Sequence, residues 1–206
     1  MAIVTISRMY GSGGSQVAER VADALGWDVL DNAVVDAVAQ RLGVSVAEVS
    51  AHEERVPSLV ERLAAAMTVS VPEMLPVTDT TLQAPEERIV AVTKAVIEEA
   101  VQAGHAVLVG RGAQCMLANR PDALHVYCYA PRAALAAYVV SERGVSQDEA
   151  LHIVDTMNHQ REQYVRRHWQ REWRAVENYD LCVNTGTLGI DGAARLVTDL
   201  ARERFE

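Results

Sequence analysis

The chain has 206 residues, of which 50% are hydrophobic and 23% are charged, and this composition is typical of one globular domain and excludes a mainly disordered chain. A net charge of −9 at pH 7 argues against binding nucleic acid without regard to its sequence. No uncharged apolar run approaches the length of about 20 residues that spans a bilayer, so no membrane partner is expected.

Strand and helix patterns alternate along the chain. Short apolar or β-branched runs predict strands at Ala2–Ser7, Trp27–Leu30, Ala106–Gly110, Leu124–Ala130 and Asp180–Asn184. Helical periodicity predicts helices at Gln16–Leu25, Asn32–Leu42, Val46–His52, Ser58–Val69, Glu86–Ala103, Pro131–Arg143, Ser146–Trp173 and Gly192–Arg204. This alternation predicts an α/β fold, a parallel sheet with helices on both faces, whose ligands bind at the carboxyl ends of the strands.

A glycine-rich loop, Tyr10–Ser15, lies between the first predicted strand and helix. Its glycines allow backbone N–H groups to converge on an anion at the N-terminus of the helix, which favours phosphate binding by Gly11, Ser12, Gly13, Gly14, Ser15 and Gln16. The alternative is a tight turn that needs glycine for its dihedral angles. The loop is not an intact Walker A motif, because the motif's lysine is absent. It is not a dinucleotide fingerprint either, because Gln16 stands at the third glycine position.

Lys94 is the one lysine among the 19 basic residues, and arginines crowd between positions 161 and 174. Such a local arginine surface on an acidic chain suits a small polyanion bound through bidentate contacts. We therefore expect a nucleotide or another small phosphorylated ligand as the partner.

Four segments, in order along the chain, resemble the cytidylate kinase-like family, a divergent branch of the nucleoside monophosphate kinases in the P-loop superfamily. They are ISRMYGSGG at 6–14, WDVLDNAVVDAVAQRLGVS at 27–45, VLVGRGAQCML at 107–117 and ENYDLCVNTG at 177–186. The resemblance implies a single kinase-like domain with a five-stranded core (1–45, 86–145 and 174–206), a helical acceptor-binding insertion (about 46–85) and an arginine-rich lid (about 146–173). It also implies transfer of the γ-phosphate of ATP, with Mg²⁺, to CMP or a related small acceptor.

The chain departs from ordinary cytidylate kinases at positions that carry chemistry. Against that pattern the P-loop lysine falls on Gly14, the magnesium-binding hydroxyl on Gln16 and an acceptor-clamping arginine on Ala37. The acidic D-G-R-D segment aligns with 109–112, which has no carboxylate. These losses leave a second hypothesis open, a catalytically impaired nucleotide-binding protein that senses or sequesters its ligand. A third is a kinase for a different small hydroxyl or phosphate substrate.

Three charged residues follow strands. Arg8 precedes the loop and could neutralise phosphates, or it could be a surface arginine with a structural partner. Asp31 could hold Mg²⁺ together with Ser15 or contact the acceptor, or it could be the N-cap of the next helix. Arg111 follows a buried strand, where a charge is costly unless it is paired, so we expect it to meet an anionic acceptor or a carboxylate.

The predicted lid helix carries Asn158, Arg161, Tyr164 and Trp173, a pattern similar to the family's D-x-x-R-x-x-Y and following tryptophan, with asparagine in place of the acid. On a hinged helix, Arg161 and Arg167 could close over the donor phosphates and assist catalysis, as Arg111 could from the core. The alternative is a solvated charged helix. The resemblance also suggests that Thr185, after the last strand, lies near the adenine of ATP.

Three scattered cysteines and a start without a signal-peptide pattern predict a cytoplasmic protein. An apolar stretch, Leu59–Val71, could serve as an oligomer interface, although such stretches more often belong to a core.

Overall fold

The computed structural model describes residues 1–31, 40–43 and 85–205. Its strands form one parallel sheet in the order β2-β3-β1-β4-β5. The strands are β1 (Ile3–Arg8), β2 (Asp28–Leu30), β3 (Ala106–Val109), β4 (Ala123–Tyr129) and β5 (Leu181–Asn184). The parallel α/β fold is therefore confirmed, and every strand boundary lies within one residue of the predicted one.

Helices cover both faces of the sheet. They are α1 (Gly14–Leu25), α2 (Pro85–Ala103), α3 (Ala113–Met116), α4 (Arg132–Arg143), α5 (Gln147–Trp169) and α6 (Thr185–Phe205), with a 3₁₀ turn at Val176–Asn178. Among the described residues, no helix combines the length and the apolar character that crossing a bilayer requires.

Alternate residues of the central strands enter two separate cores. Val4 and Ile6 of β1 pack on one face with Val17 of α1 and Val197 of α6. Ile3 of β1 joins a cluster on the other face that includes residues of α2 and α3. β3 is buried over its whole length, as is typical of a parallel strand covered on both faces.

The register brings the carboxyl ends of the strands to one edge. Ile6 of β1 lies opposite Val109 at the end of β3 and opposite Val126 of β4. The loop after β1 therefore lies in the middle of this edge, between the turn after β3 and the segments that follow β4.

Two predicted helix boundaries were wrong. The helix predicted over Ser146–Trp173 ends at Trp169, because Gln170 adopts a left-handed conformation (φ 55°) and its N–H donates to the Arg166 carbonyl oxygen. The last helix begins at Thr185 rather than Gly192. Its first turns precede a kink at Gly189 (φ 66°, ψ 173°), and this glycine-containing stretch resembles a loop in the sequence.

Several predictions fall outside the described residues. Of the predicted helix Asn32–Leu42, residues 40–42 are described and are helical. Outside lie the rest of that helix, the helices Val46–His52 and Ser58–Val69, Ala37, the stretch Leu59–Val71 and nearly all of the acceptor-binding insertion (46–85).

Candidate phosphate-binding site

The loop between β1 and α1 is a tight turn built on glycine. Gly11 and Gly13 have φ angles of 81° and 68°, which favour glycine. A Cβ on Gly11 would lie 2.6 Å from the Leu135 carbonyl oxygen in α4. The Ser12 hydroxyl donates to the Met9 carbonyl oxygen at 2.8 Å and so turns into the loop. The turn therefore needs glycine at positions 11 and 13 for its dihedral angles. Phosphate binding by the residues of the loop stays a prediction.

Arg8 ends β1, and its side chain fills the space beside Gly14 and Gly110. A Cβ built on Gly14 would overlap the Cβ of Arg8, and one built on Gly110 would overlap its guanidinium. The Walker A pattern GxxxxGK[ST] can be set on the chain with Gly13 as its second glycine. Its first glycine then falls on Arg8, its lysine on Gly14 and its hydroxyl residue on Ser15. The long cationic residue and the glycine have thus exchanged positions.

Asp31 directly follows β2 and connects Arg8 with the start of α1. Its Oδ1 lies 3.5 Å from an Nη of Arg8, and its Oδ2 accepts a hydrogen bond from the Ser15 hydroxyl at 2.8 Å. The structure thus brings together Arg8, Ser15 and Asp31, each predicted as a site residue. The alternative role of Asp31 as a helix N-cap involves residues from Asn32 onward, outside the described part.

The Ser15 hydroxyl and the Asp31 carboxylate are hard oxygen donors that contact each other. Mg²⁺ in phosphate-transferring sites is commonly held by one or two such protein oxygens, with substrate phosphates and water supplying the rest. This pair fits that donor chemistry. Gln16, which stands where ordinary cytidylate kinases carry the hydroxyl, instead accepts a hydrogen bond from the Tyr138 hydroxyl at 3.1 Å.

Arg111 lies in the turn after β3 and is strongly buried. Burial, followed by repulsion from Arg8, lowers the pKa of its guanidinium to about 10, and attraction to Asp31 opposes this. The side chain therefore keeps its charge at neutral pH in an environment that disfavours it. The φ angle of Arg111 is 56°, which is unusual for a residue with a side chain. An anion near this group would offset the electrostatic cost of its charge.

A cavity of about 60 Å³ lies at this edge of the sheet. Three of the described side chains that line it are arginines, and none is acidic. The lining residues are Ser7, Arg8, Gly110, Arg111, Gly112, Gln114, Arg161, Tyr164, Val165 and Trp173. The cavity therefore has the electrostatic character of an anion site.

Helix α5 is hydrogen-bonded to the loop at its middle. The Asn158 side-chain oxygen accepts from the Tyr10 backbone N–H at 2.7 Å, and Arg161 donates to the Arg8 carbonyl oxygen at 2.9 Å. Asn158 is 2% exposed. In the sequence, Asn158 drew attention only because it replaces the aspartate of the family's D-x-x-R-x-x-Y pattern. Its position three residues before Arg161, on the same helix face, was the signal that could have indicated a contact with the loop.

A second cavity, of about 400 Å³, lies between the loop and α4. The lining residues are Arg8, Met9, Tyr10, Gly11, Gly13, Gly14, Ser15, Gln16, Tyr138, Val139, Glu142, Arg143 and Arg161. Arg143 was missed in the sequence, although it is the last residue of a predicted helix directly before the predicted lid. The predicted Arg161 lines both cavities.

Four predicted site residues line neither of these cavities: Ser12, Asp31, Arg167 and Thr185. Arg167 is exposed on α5. Thr185 begins α6, is mostly buried, and donates its hydroxyl to the Tyr129 carbonyl oxygen at 3.1 Å. The catalytic role of Arg167 and the adenine contact of Thr185 stay predictions.

Comparisons with solved structures show the same fold. The chain is similar to an uncharacterized protein from Eubacterium ventriosum ATCC 27560 (18% identity over 98% of this chain and 99% of that one, TM-score 0.71). It is also similar to shikimate kinase from Bacteroides thetaiotaomicron (12% identity over 98% of each chain, TM-score 0.56). A gluconokinase from Sinorhizobium meliloti 1021 is similar at 12% identity over 98% of this chain and 94% of that one, with a TM-score of 0.50. These likenesses show the fold, which is that of the P-loop kinases.

No curated protein sequence matches the chain. The model of the cytidylate kinase-like family, however, matches residues 3–187. This range includes every strand of the sheet, the glycine-rich loop and the arginines of both cavities. The chain therefore belongs to the cytidylate kinase-like family.

Proposed function

We propose that this protein is a P-loop phosphotransferase that moves the γ-phosphate of ATP to CMP or a related small acceptor, with Arg8 in the role of the missing lysine. One observation carries the proposal: the Arg8 side chain fills the space in which a side chain at Gly14 would begin. A cation is therefore retained beside the loop, although it comes from β1 rather than from α1.

Phosphoryl transfer requires the protein mainly to position the phosphates and to neutralise their charge. Loss of one electrostatic contact of this kind costs roughly 3–4 kcal/mol at the transition state, or a few hundredfold in rate. A guanidinium makes planar, bidentate contacts with phosphate and remains charged at all physiological pH values. Arg8, assisted by Arg161 from α5, offsets part of the loss, so we expect slow but measurable transfer.

The pair of Ser15 and Asp31 would hold Mg²⁺ on the donor side of this site. When bound with ATP, the ion neutralises phosphate charge. Asp31 also holds the Arg8 guanidinium, so one carboxylate orients both a cation of the protein and the hydroxyl at the start of α1.

The acceptor would be bound through Arg111, whose buried cation lines the smaller cavity. The family description favours a cytidine nucleotide. The names of the similar shikimate kinase and gluconokinase indicate that proteins of this fold phosphorylate other acceptors. A panel of acceptors should therefore include small polyhydroxy compounds as well as nucleotides.

A nucleotide-binding protein with little turnover is the second candidate, and one contact favours it. A Cβ on Gly112 would overlap the indole of Trp169, so this position excludes the acid that ordinary cytidylate kinases carry in the aligned segment. An aromatic ring therefore lies where a carboxylate could otherwise organise the metal.

The discriminating experiment is single-turnover transfer from ATP labelled in its γ-phosphate, at high enzyme concentration, to each member of the panel. We expect slow, Mg²⁺-dependent labelling of one acceptor and its loss in Arg8→Ala. An exposed arginine of α6 that lines neither cavity, Arg195→Ala, is the matched control and should keep the wild-type rate. Tight ATP binding without transfer to any acceptor would support the binding protein instead.

A further inference from the structure

Two arginines from different helices contact the ring of Tyr10 in the loop. The guanidinium carbons of Arg143, the last residue of α4, and Arg161, in the middle of α5, each lie 5.4 Å from the ring centroid. A guanidinium within about 6 Å of an aromatic centroid is attracted by the electron-rich face of the ring. Tyr10 thus gathers two cations on the loop, although only one of them was predicted as a site residue.

The backbone of Tyr10 is fixed independently of these contacts. Its N–H donates to the buried side-chain oxygen of Asn158 at 2.7 Å. The ring therefore presents a preorganised surface against which the two long arginine side chains can rest. Arg161 has a second anchor, because it donates to the Arg8 carbonyl oxygen. Arg143 is exposed, and its guanidinium lies against the ring of Tyr10.

Both arginines line the larger cavity together with the glycines of the loop. Two cations that share one ring repel each other, and an anion placed between them and the loop would relieve that repulsion. The cavity holds about 400 Å³, which accommodates several phosphate groups in a row. Among the described residues that line this cavity, three are arginines and one, Glu142, is acidic. Positive charges therefore outnumber negative ones.

We propose that Arg143 binds the terminal phosphates of a polyphosphate ligand in the larger cavity and that Tyr10 is the positioning residue that directs Arg143 and Arg161 toward it. The inference rests on the proposed function, because ATP would be the physiological polyphosphate. It adds a binding residue from α4 and a reason for an aromatic residue within a glycine-rich loop. The hydroxyl of Tyr10 has no part in it.

The test measures calorimetric affinities for inorganic tripolyphosphate and for ATP in the 206-residue chain. Arg143→Ala removes the proposed binding residue, and Arg195→Ala removes an equally exposed arginine outside the cavity. Tyr10→Leu removes the ring, whereas Tyr10→Phe keeps the ring and removes only the hydroxyl. Circular dichroism tests whether each variant is folded. Because Arg143 is exposed, we expect Arg143→Ala to fold like the wild type.

We expect Arg143→Ala and Tyr10→Leu each to weaken tripolyphosphate and ATP binding about tenfold, the usual effect of losing one hydrogen bond to a charged group. Arg195→Ala and Tyr10→Phe should retain the wild-type affinities. If the wild type binds tripolyphosphate and Arg143→Ala binds it equally well, the assignment of Arg143 is wrong. If Tyr10→Phe weakens binding as much as Tyr10→Leu, the positioning role of the ring is wrong. A wild type that binds neither ligand would overturn the proposed function and this inference with it.

Discussion

The Cβ atom of Arg8 lies where a side chain at Gly14 would have to begin. The two positions are therefore coupled, because Gly14 cannot take the Walker A lysine while Arg8 keeps its side chain. The Arg8 guanidinium extends past Gly110 to Asp31, so a third position is restricted to glycine by the same side chain. The missing lysine is thus part of an exchange of residues across the loop, and the variants below test what the exchange preserves.

Gly13→Asp should abolish nucleotide binding. The substitution places a negative charge in the loop at a φ of 68°, with a Cβ 2.8 Å from Ile190 Cδ1. Gly26→Asp is the matched control, because Gly26 has a φ of 67° at the other end of α1 and open space around its Cβ. Calorimetry with ATP should detect no binding to the first variant and ordinary binding to the second. Equal ATP affinities in the two variants would show that the loop does not hold phosphate.

Asn158→Ala should destabilise the protein by about 1–3 kcal/mol, because the Tyr10 N–H would lose its acceptor in a buried environment. Asn158→Asp keeps an acceptor oxygen at the same place and should cost less. The free energy of unfolding in urea measures both effects, and amide exchange at Tyr10 reports the local one. His159→Ala, at the exposed neighbouring position, provides the baseline. If alanine at 158 and at 159 have the same small effect, α5 does not depend on this hydrogen bond.

Arg111→Asn should weaken phosphate binding by roughly 1.5–3 kcal/mol, the contribution of a hydrogen bond to a charged group. Asparagine tolerates the left-handed φ of this position, so the backbone should be retained. Because burial lowers the pKa of Arg111 to about 10, the wild type should bind CMP, the proposed acceptor, evenly up to about pH 9 on account of this group. Its affinity should then fall as the guanidinium loses its proton near pH 10.

The pH titration contains its own control. The fall near pH 10 should be much smaller in Arg111→Asn, which has no guanidinium to titrate at this position. A fall of equal size in both proteins would assign the pH dependence to other groups and leave Arg111 outside the site.

The sequence predicted the sheet well, because each strand is a short apolar run with a clear turn on either side. Arg8, Ser15 and Asp31 could be expected to meet, because each follows a strand or begins a helix at the same edge of a parallel sheet. Their pairing pattern could not be predicted, since it depends on the path of one long side chain between Gly14 and Gly110.

Contacts between distant helices were harder to predict. The helix that bears Arg161 matched a solvated charged pattern, whereas its buried Asn158 and the indole of Trp169 contact the loop and Gly112. That helix ends before Gln170, so the last residues of the predicted helix lie outside it. Trp173, one of them, is buried against Tyr127. Arg143 carried no sequence signal beyond its place at a helix end, because its partner is an aromatic ring more than a hundred residues away.

The most direct test of the central claim is to reverse the exchange. Gly14→Lys alone should fail to transfer phosphate and should be destabilised by about 1–3 kcal/mol, because its side chain would overlap Arg8. Arg8→Gly alone should lose most of the transfer rate, because the cation proposed to replace the P-loop lysine is removed. The double variant Arg8→Gly/Gly14→Lys restores the Walker A register, and its single-turnover rate with labelled ATP should equal or exceed that of the wild type. The claim that Arg8 replaces the P-loop lysine would be contradicted by two results together. These are a wild-type transfer rate in Arg8→Gly and a double variant that is no faster than Arg8→Gly.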